Sequence, residues 1–163
     1  MELDNRTLLV VQVLLSLVAW STVALVFVRP RLAGLDRRTQ LRWLIAPHMF
    51  RHIGMSLLAV GVPGPDLDPG FARWVAGGDL ATMVLATAAV IALGRPGRLG
   101  LVLAGVATAV GLVDLLHNLR MGLVVDAPAN LESAWLVVSM IVPLMLVAHI
   151  GAARVLLARP STR

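Results

Sequence analysis

Five apolar stretches, Leu8–Val28, Trp43–Val62, Phe71–Gly94, Leu99–Val125 and Ala134–Leu157, divide most of the chain between them. Each is near or above the roughly 20 residues that a helix needs to cross about 30 Å of hydrocarbon. The sequence therefore predicts an all-α fold, a polytopic membrane protein built as a bundle of five transmembrane helices in a single domain. Only 14% of the 163 residues are charged and 58% are hydrophobic, too little polar surface to cover a soluble domain of this length. The first stretch is expected to be a span, because it is too long for a removable signal peptide and lacks the n-region and cleavage site.

The charges follow the loops between these stretches. Every positively charged side chain is an arginine, with lysine absent. Arg29, Arg31, Arg37, Arg38 and Arg42 fill the first loop, Arg95 and Arg98 the third, and Arg159 and Arg163 the tail. The second loop, VPGPDLDPG, and the fourth, DAPANLES, are acidic or neutral. Arginine-rich loops stay on the cytoplasmic side, so the N-terminus is expected outside and the C-terminus in the cytoplasm. Trp43 falls at the inner boundary, and Trp74 and Trp135 at the outer one, where aromatic belts lie. The formal charge of +5 thus reflects topology, and no nucleic-acid partner is expected. The first loop, RPRLAGLDRRTQLR, could also meet anionic lipid. Cysteine is absent, which excludes disulfides, Cys-ligated metal and thiol chemistry. No Gly-rich phosphate loop, HExxH or GxSxG motif occurs, and no internal repeat is evident.

Against this apolar background the stretch PHMFRHIGM, residues 47–55, stands out. At about 1.5 Å per helical residue, Arg51 and His52 lie roughly 12–14 Å from the inner end of their span. Asp79 lies about 12 Å from the outer end of the third, His149 about 12 Å from the inner end of the fifth, and Asp114 some 16 Å from the outer end of the fourth. His117 lies one turn shallower than Asp114. Ionisable groups on four helices therefore converge on the middle of the bilayer. Each would cost roughly 2.5–3.5 kcal/mol at the centre of a spanning helix, so they are expected to face inward and meet. With α-helical spacing, His48, Arg51, His52 and Met55 share one face of the second span, and Asp114, His117, Asn118 and Met121 one face of the fourth. The embedded charges of Arg51 and Arg120 balance those of Asp79 and Asp114. Arg51 is expected to be the counter-charge to Asp79 or Asp114. Arg120 is expected to snorkel outward, and His48 to lie toward the cytoplasmic surface among headgroups or water.

Several functions fit such a layer. An ion-pair network can simply register the helices, and such pairs need not add stability. Intramembrane ionisable groups also mark ligand sites, substrate paths and proton relays. A metal site would draw on His149, Asp114, His52 and Asp79, with His117 in reserve; Asp114-x-x-His117 has the spacing of helical-bundle metal motifs. That mixed N/O set suits zinc or iron. His52 and His149 could ligate a haem axially, although aromatic residues make up only 4% of the chain. A structural, interaction or small-ligand-binding protein, a metal- or haem-binding redox enzyme and a proton-coupled carrier all stay open on the sequence.

Small residues at Ala104–Gly111 and Ala76–Gly78 predict that the third and fourth spans are close neighbours or, alternatively, that they form a homodimer face. Pro47 and Pro143 are expected to kink the second and fifth spans. The order of polar marks also resembles a group of small uncharacterised bacterial integral membrane proteins. It is carried by Arg51 with Gly54, Gly78 with Asp79, Gly111 with Asp114, and Pro143 with His149, over roughly residues 45–155. The resemblance implies a multi-pass protein of the bacterial cytoplasmic membrane and points to these residues; His48, His52, His117 and Arg120 are not part of its pattern.

Overall fold

The computed structural model describes residues 4–158, so Arg159 and Arg163 lie outside the described residues. The described residues form helices and turns without a strand. Four helices are long and apolar enough to cross a membrane: α1 (Asn5–Ala33), α3 (Pro69–Leu93), α4 (Leu99–Val124) and α5 (Glu132–Leu157). The second apolar stretch is different. It begins as a short helix, α2 (Arg37–Ile45), and continues as a 3-10 helix over Ala46–Leu58.

Side-chain caps and prolines explain where the winding changes. The Asp4 carboxylate accepts the Thr7 N–H at 2.8 Å and opens α1, and Asp36 accepts the N–H groups of Arg38 and Thr39 to open α2. Asp68 accepts the Phe71 N–H at 2.5 Å, with Pro69 in the first turn of α3. Proline at the first turn loses nothing, since that N–H has no intrahelical partner. Inside a helix it removes one hydrogen bond and crowds the carbonyl four residues back. The chain answers with wider or tighter turns: a π-helical stretch, Ala24–Val28, precedes Pro30, and another, Val137–Ile141, precedes Pro143. Pro47 instead opens the 3-10 helix.

That 3-10 helix is 13 residues long, where runs beyond three or four are uncommon. Its advantage is periodic. In a 3-10 helix residues three apart eclipse one another, whereas α-helical steps of three drift by about 60° each. Ile45, His48, Arg51, Gly54 and Leu57 are all buried, one straight row against the bundle. At about 2.0 Å per residue the segment covers roughly 26 Å.

The bundle has two distinct ends. One is packed by Leu9, Leu57, Leu67, Val75 and Leu131, the other by Leu41, Ile45, Ala89, Leu93, Ala104 and Ala152. Since Leu41 and Leu57 belong to opposite ends, the α2 and 3-10 segment runs the length of the bundle as the four long helices do. At the Leu41 end, Arg38 donates to the carbonyls of Ala92, Leu93, Arg95 and Gly97 and so caps the α3–α4 turn. Arg37 donates to the Leu156 carbonyl of α5 at 2.5 Å. Carbonyls at helix ends and in the turns that follow lack the full set of intrahelical partners, and the arginines supply donors to them. At the other end the acidic loops are tied together, by the Gly64 N–H on Asn130 O at 2.8 Å and the Ser133 hydroxyl on Val62 O at 2.9 Å.

As the small residues predict, α3 packs closely along α4, and also along the 3-10 segment. The outermost element is α1: only 6% of its most apolar stretch is buried, against 33–39% in the other long helices. It is held to α5 by two indole bonds, Trp20 Nε1 to Met140 O at 3.0 Å and Trp135 Nε1 to Gln12 Oε1 at 2.6 Å.

Candidate functional site

Halfway along the bundle, Arg51 of the 3-10 helix is 2% exposed and enclosed by α3 and α4. Its guanidinium uses all three nitrogens. Nε donates to Asp79 Oδ1 at 2.6 Å, Nη1 to the Gly111 carbonyl at 2.9 Å, and Nη2 to Asp114 Oδ2, with Asp79 also paired to Nη2. Charge-assisted bonds from a planar fork fix angles as well as distances, so this one side chain registers three segments. The expected pairing is thus formed with both aspartates at once. Arg120 is exposed and stands apart from the cluster, leaving one guanidinium against two carboxylates.

Three glycines make the arrangement possible. A Cβ on Gly54 would lie 1.7 Å from Asp79 Oδ2, and one on Gly78 1.9 Å from Asp114 Oδ1. A Cβ on Gly111 would lie 2.5 Å from His149 Nε2. Each segment therefore supplies a polar group and also a slot for the polar group of the next. The 3-10 helix offers Arg51 and the Gly54 slot, which takes Asp79 of α3. That helix offers the Gly78 slot, which takes Asp114 of α4. In turn α4 offers Gly111, against which His149 of α5 is seated. The Arg-x-x-Gly, Gly-Asp and Gly-x-x-Asp steps are the sequence trace of this interlock.

His149 is 1% exposed and stacks on His48, also 1% exposed, with ring centroids 3.6 Å apart and planes 19° apart. No ring nitrogen of either histidine has a hydrogen-bond partner, and the nearby Thr82 and Thr108 hydroxyls also lack one. His48 was expected near headgroups; the 3-10 row instead carries it inward beside Arg51. The same winding overturns the place of His52. An α-helical face would have set it next to Arg51, but it is exposed, with Nδ1 3.3 Å from the Met49 carbonyl of its own turn. Met55 is likewise turned outward. His117 is half-buried and outside the cluster, its ring 5.3 Å from that of Trp74.

These positions bear on the cofactor expectations. The set His149, Asp114, His52 and Asp79 is not assembled: both carboxylates hold Arg51, and His52 faces out. Among the described residues no group of three or more His, Asp or Glu side chains is placed to hold a metal ion. His52 and His149 cannot flank a haem either, because His52 faces out and the His149 ring is stacked on His48.

Toward the Leu57 end, the cluster adjoins a cavity of about 280 Å³. Its walls are apolar, among them Leu9, Val13, Val75, Leu115, Leu119 and Val138; its polar boundary is Asp79 and Asn118. The Asn118 side-chain oxygen has no hydrogen-bond partner. Five segments contribute to this wall, and nothing in the spacing of any one of them marks it.

A family described as Domain of unknown function (DUF8737) matches residues 8–157. The chain belongs to that family, and the match covers every element of the site. No curated protein and no solved structure matches the chain.

Proposed function

We propose that this member of the DUF8737 family is a five-crossing protein of the bacterial cytoplasmic membrane that binds a small apolar ligand beside its buried arginine cluster. The observation that carries ligand binding is the 280 Å³ cavity, apolar in its walls and bounded by Asp79 and Asn118. Binding sites for small molecules have this character, mostly apolar with a few convergent polar groups that fix orientation. The volume is at the low end of such sites, which favours a single chain or small ring. Its polar end favours a hydroxyl, able to donate to the unpartnered Asn118 side-chain oxygen.

Membrane residence is supported by the four long apolar helices and by their exposed side chains, such as Leu15, Val18, Val84, Val102, Val113, Leu136 and Ile150. In a bilayer that surface meets lipid tails without cost. The fifth crossing is the α2 and 3-10 segment, whose rise of roughly 26 Å over the 3-10 portion alone approaches the hydrocarbon thickness. Because Arg37 and Arg38 reach across to the α3–α4 turn and the end of α5, the arginine-rich loops share one end of the bundle. That end belongs in the cytoplasm and the N-terminus outside. A reporter fused within the loop Pro63–Gly70 is expected to read as external, and a cytoplasmic signal there would refute this topology.

Ligand binding is tested in lipid nanodiscs with 1-decanol as the probe. A ligand that binds only the folded state raises the unfolding temperature by mass action. Decanol is expected to do so saturably for the wild-type protein. Val138→Trp, which fills the cavity from its wall, is expected to abolish the shift without loss of folding. An equal shift in that variant would contradict the assignment.

A further inference from the structure

One residue around from the cavity wall on each helix, α3 and α4 form a second concavity. The cavity is lined by Val75, Asp79, Leu115 and Asn118; a groove of about 500 Å³ is lined by Trp74, Gly78, Asp114 and His117, with Val110 and Val113. The two carboxylates that share Arg51 thus serve different spaces, Asp79 the cavity and Asp114 the groove.

The groove combines three features. Its walls are apolar. At its rim Trp74, 61% exposed, stands with its ring 5.3 Å from that of His117. At its floor is Asp114, whose Oδ2 is held by Arg51 while Oδ1 lies over Gly78, in the space that a Cβ would otherwise fill. An aromatic face and a carboxylate in an apolar setting attract the same partner, a cation. The cluster has room for one electrically, since a single guanidinium faces two carboxylates and Arg120 is exposed and apart from it.

We infer that this groove binds a lipophilic organic cation, with its charge between the Trp74 ring and the Asp114 carboxylate. A lipid headgroup does not suit the same place. Asp114 lies about 15 Å along α4 from its end at Val124, deeper than the layer that headgroups occupy. A diffusible cation with its charge spread over apolar groups can enter from the hydrocarbon and reach that depth. The inference is independent of the alcohol-binding cavity, because it rests on other residues and another ligand charge.

The test is equilibrium binding of tetraphenylphosphonium to the full chain in zwitterionic nanodiscs, with neutral triphenylphosphine oxide as the control of similar shape. Saturable binding of the cation and not of the oxide is expected. Trp74→Leu keeps the apolar surface but removes the π face, and is expected to weaken binding roughly three- to thirtyfold. Val113→Trp is expected to block the groove and abolish binding, while Val138→Trp in the cavity leaves it unchanged. Trp74 and Val113 are 61% and 69% exposed, so neither change removes a core contact, and thermal unfolding checks that the fold is kept. Absence of saturable cation binding, equal binding of the oxide, or wild-type binding in both groove variants would overturn the inference. So would binding lost in Val138→Trp and kept in Val113→Trp.

Discussion

Asp79→Ala is expected to be among the most damaging single substitutions in this chain. The carboxylate receives Arg51 Nε at 2.6 Å and is also paired to Nη2. Removing it strands part of a guanidinium that is 2% exposed. Losing one partner of a buried ion pair typically costs about 3–5 kcal/mol, because the remaining charge is left uncompensated. That is a large share of the roughly 5–15 kcal/mol by which folded proteins are usually stable. The expected result is a steep fall in yield and in unfolding temperature in detergent. Asp114→Ala should act in the same direction and less strongly, since Asp114 pairs with Nη2 alone whereas Asp79 pairs with both Nε and Nη2. Wild-type behaviour in both variants would show that these carboxylates do not compensate Arg51.

The glycine slots carry the second large effect, and it is opposite in sign to the usual rule. Replacing glycine by alanine inside a helix normally stabilises it by up to about 1 kcal/mol. At Gly77 and Gly105 a methyl group would meet nothing within 4 Å, and alanine there is expected to be neutral or stabilising. At Gly54 and Gly78 the same methyl would fall 1.7 Å and 1.9 Å from a carboxylate oxygen of the neighbouring helix. The helices must separate or the aspartate must leave Arg51. Overpacking commonly costs about 1–3 kcal/mol, and a displaced ion pair adds to it. Thermal unfolding of the four alanine variants checks the contrast. Equal behaviour of the slot glycines and the two free ones would mean that the interlock does not hold.

Much of this arrangement was legible as chemistry before it was legible as geometry. The expected cost of a charge in hydrocarbon put Arg51, Asp79, Asp114 and His149 into one layer on the sequence, and in the structure all four do meet or adjoin at mid-bundle. The run of arginines between the first two stretches also announced one end of the molecule. What a residue pattern could not convey was winding. Pro47 signalled a break in the α-helix, and a kink was the natural expectation. The chain instead changed period, and with it the partners: steps of three brought His48 and Gly54 inward, while His52 and Met55 turned out. Gly54 and Gly78 could be seen as small, but their role depends on an aspartate from another helix filling the space that each leaves. The capping work of Arg37 and Arg38 was likewise hidden, since the carbonyls they satisfy belong to residues more than fifty positions away. The cavity lay further still from view, assembled from five segments with ordinary apolar residues.

The central claim is that Arg51 is held in the bundle by two compensating carboxylates, and charge neutralisation tests it most directly. The measurement is the unfolding temperature in one detergent of Arg51→Met, of Asp79→Asn with Asp114→Asn, and of the three substitutions combined. If the ion cluster is as described, Arg51→Met alone leaves two buried carboxylates without a cation and unfolds far below wild type. Adding Asp79→Asn and Asp114→Asn then removes the surplus charge and recovers much of the loss. A triple variant no more stable than Arg51→Met would contradict the account.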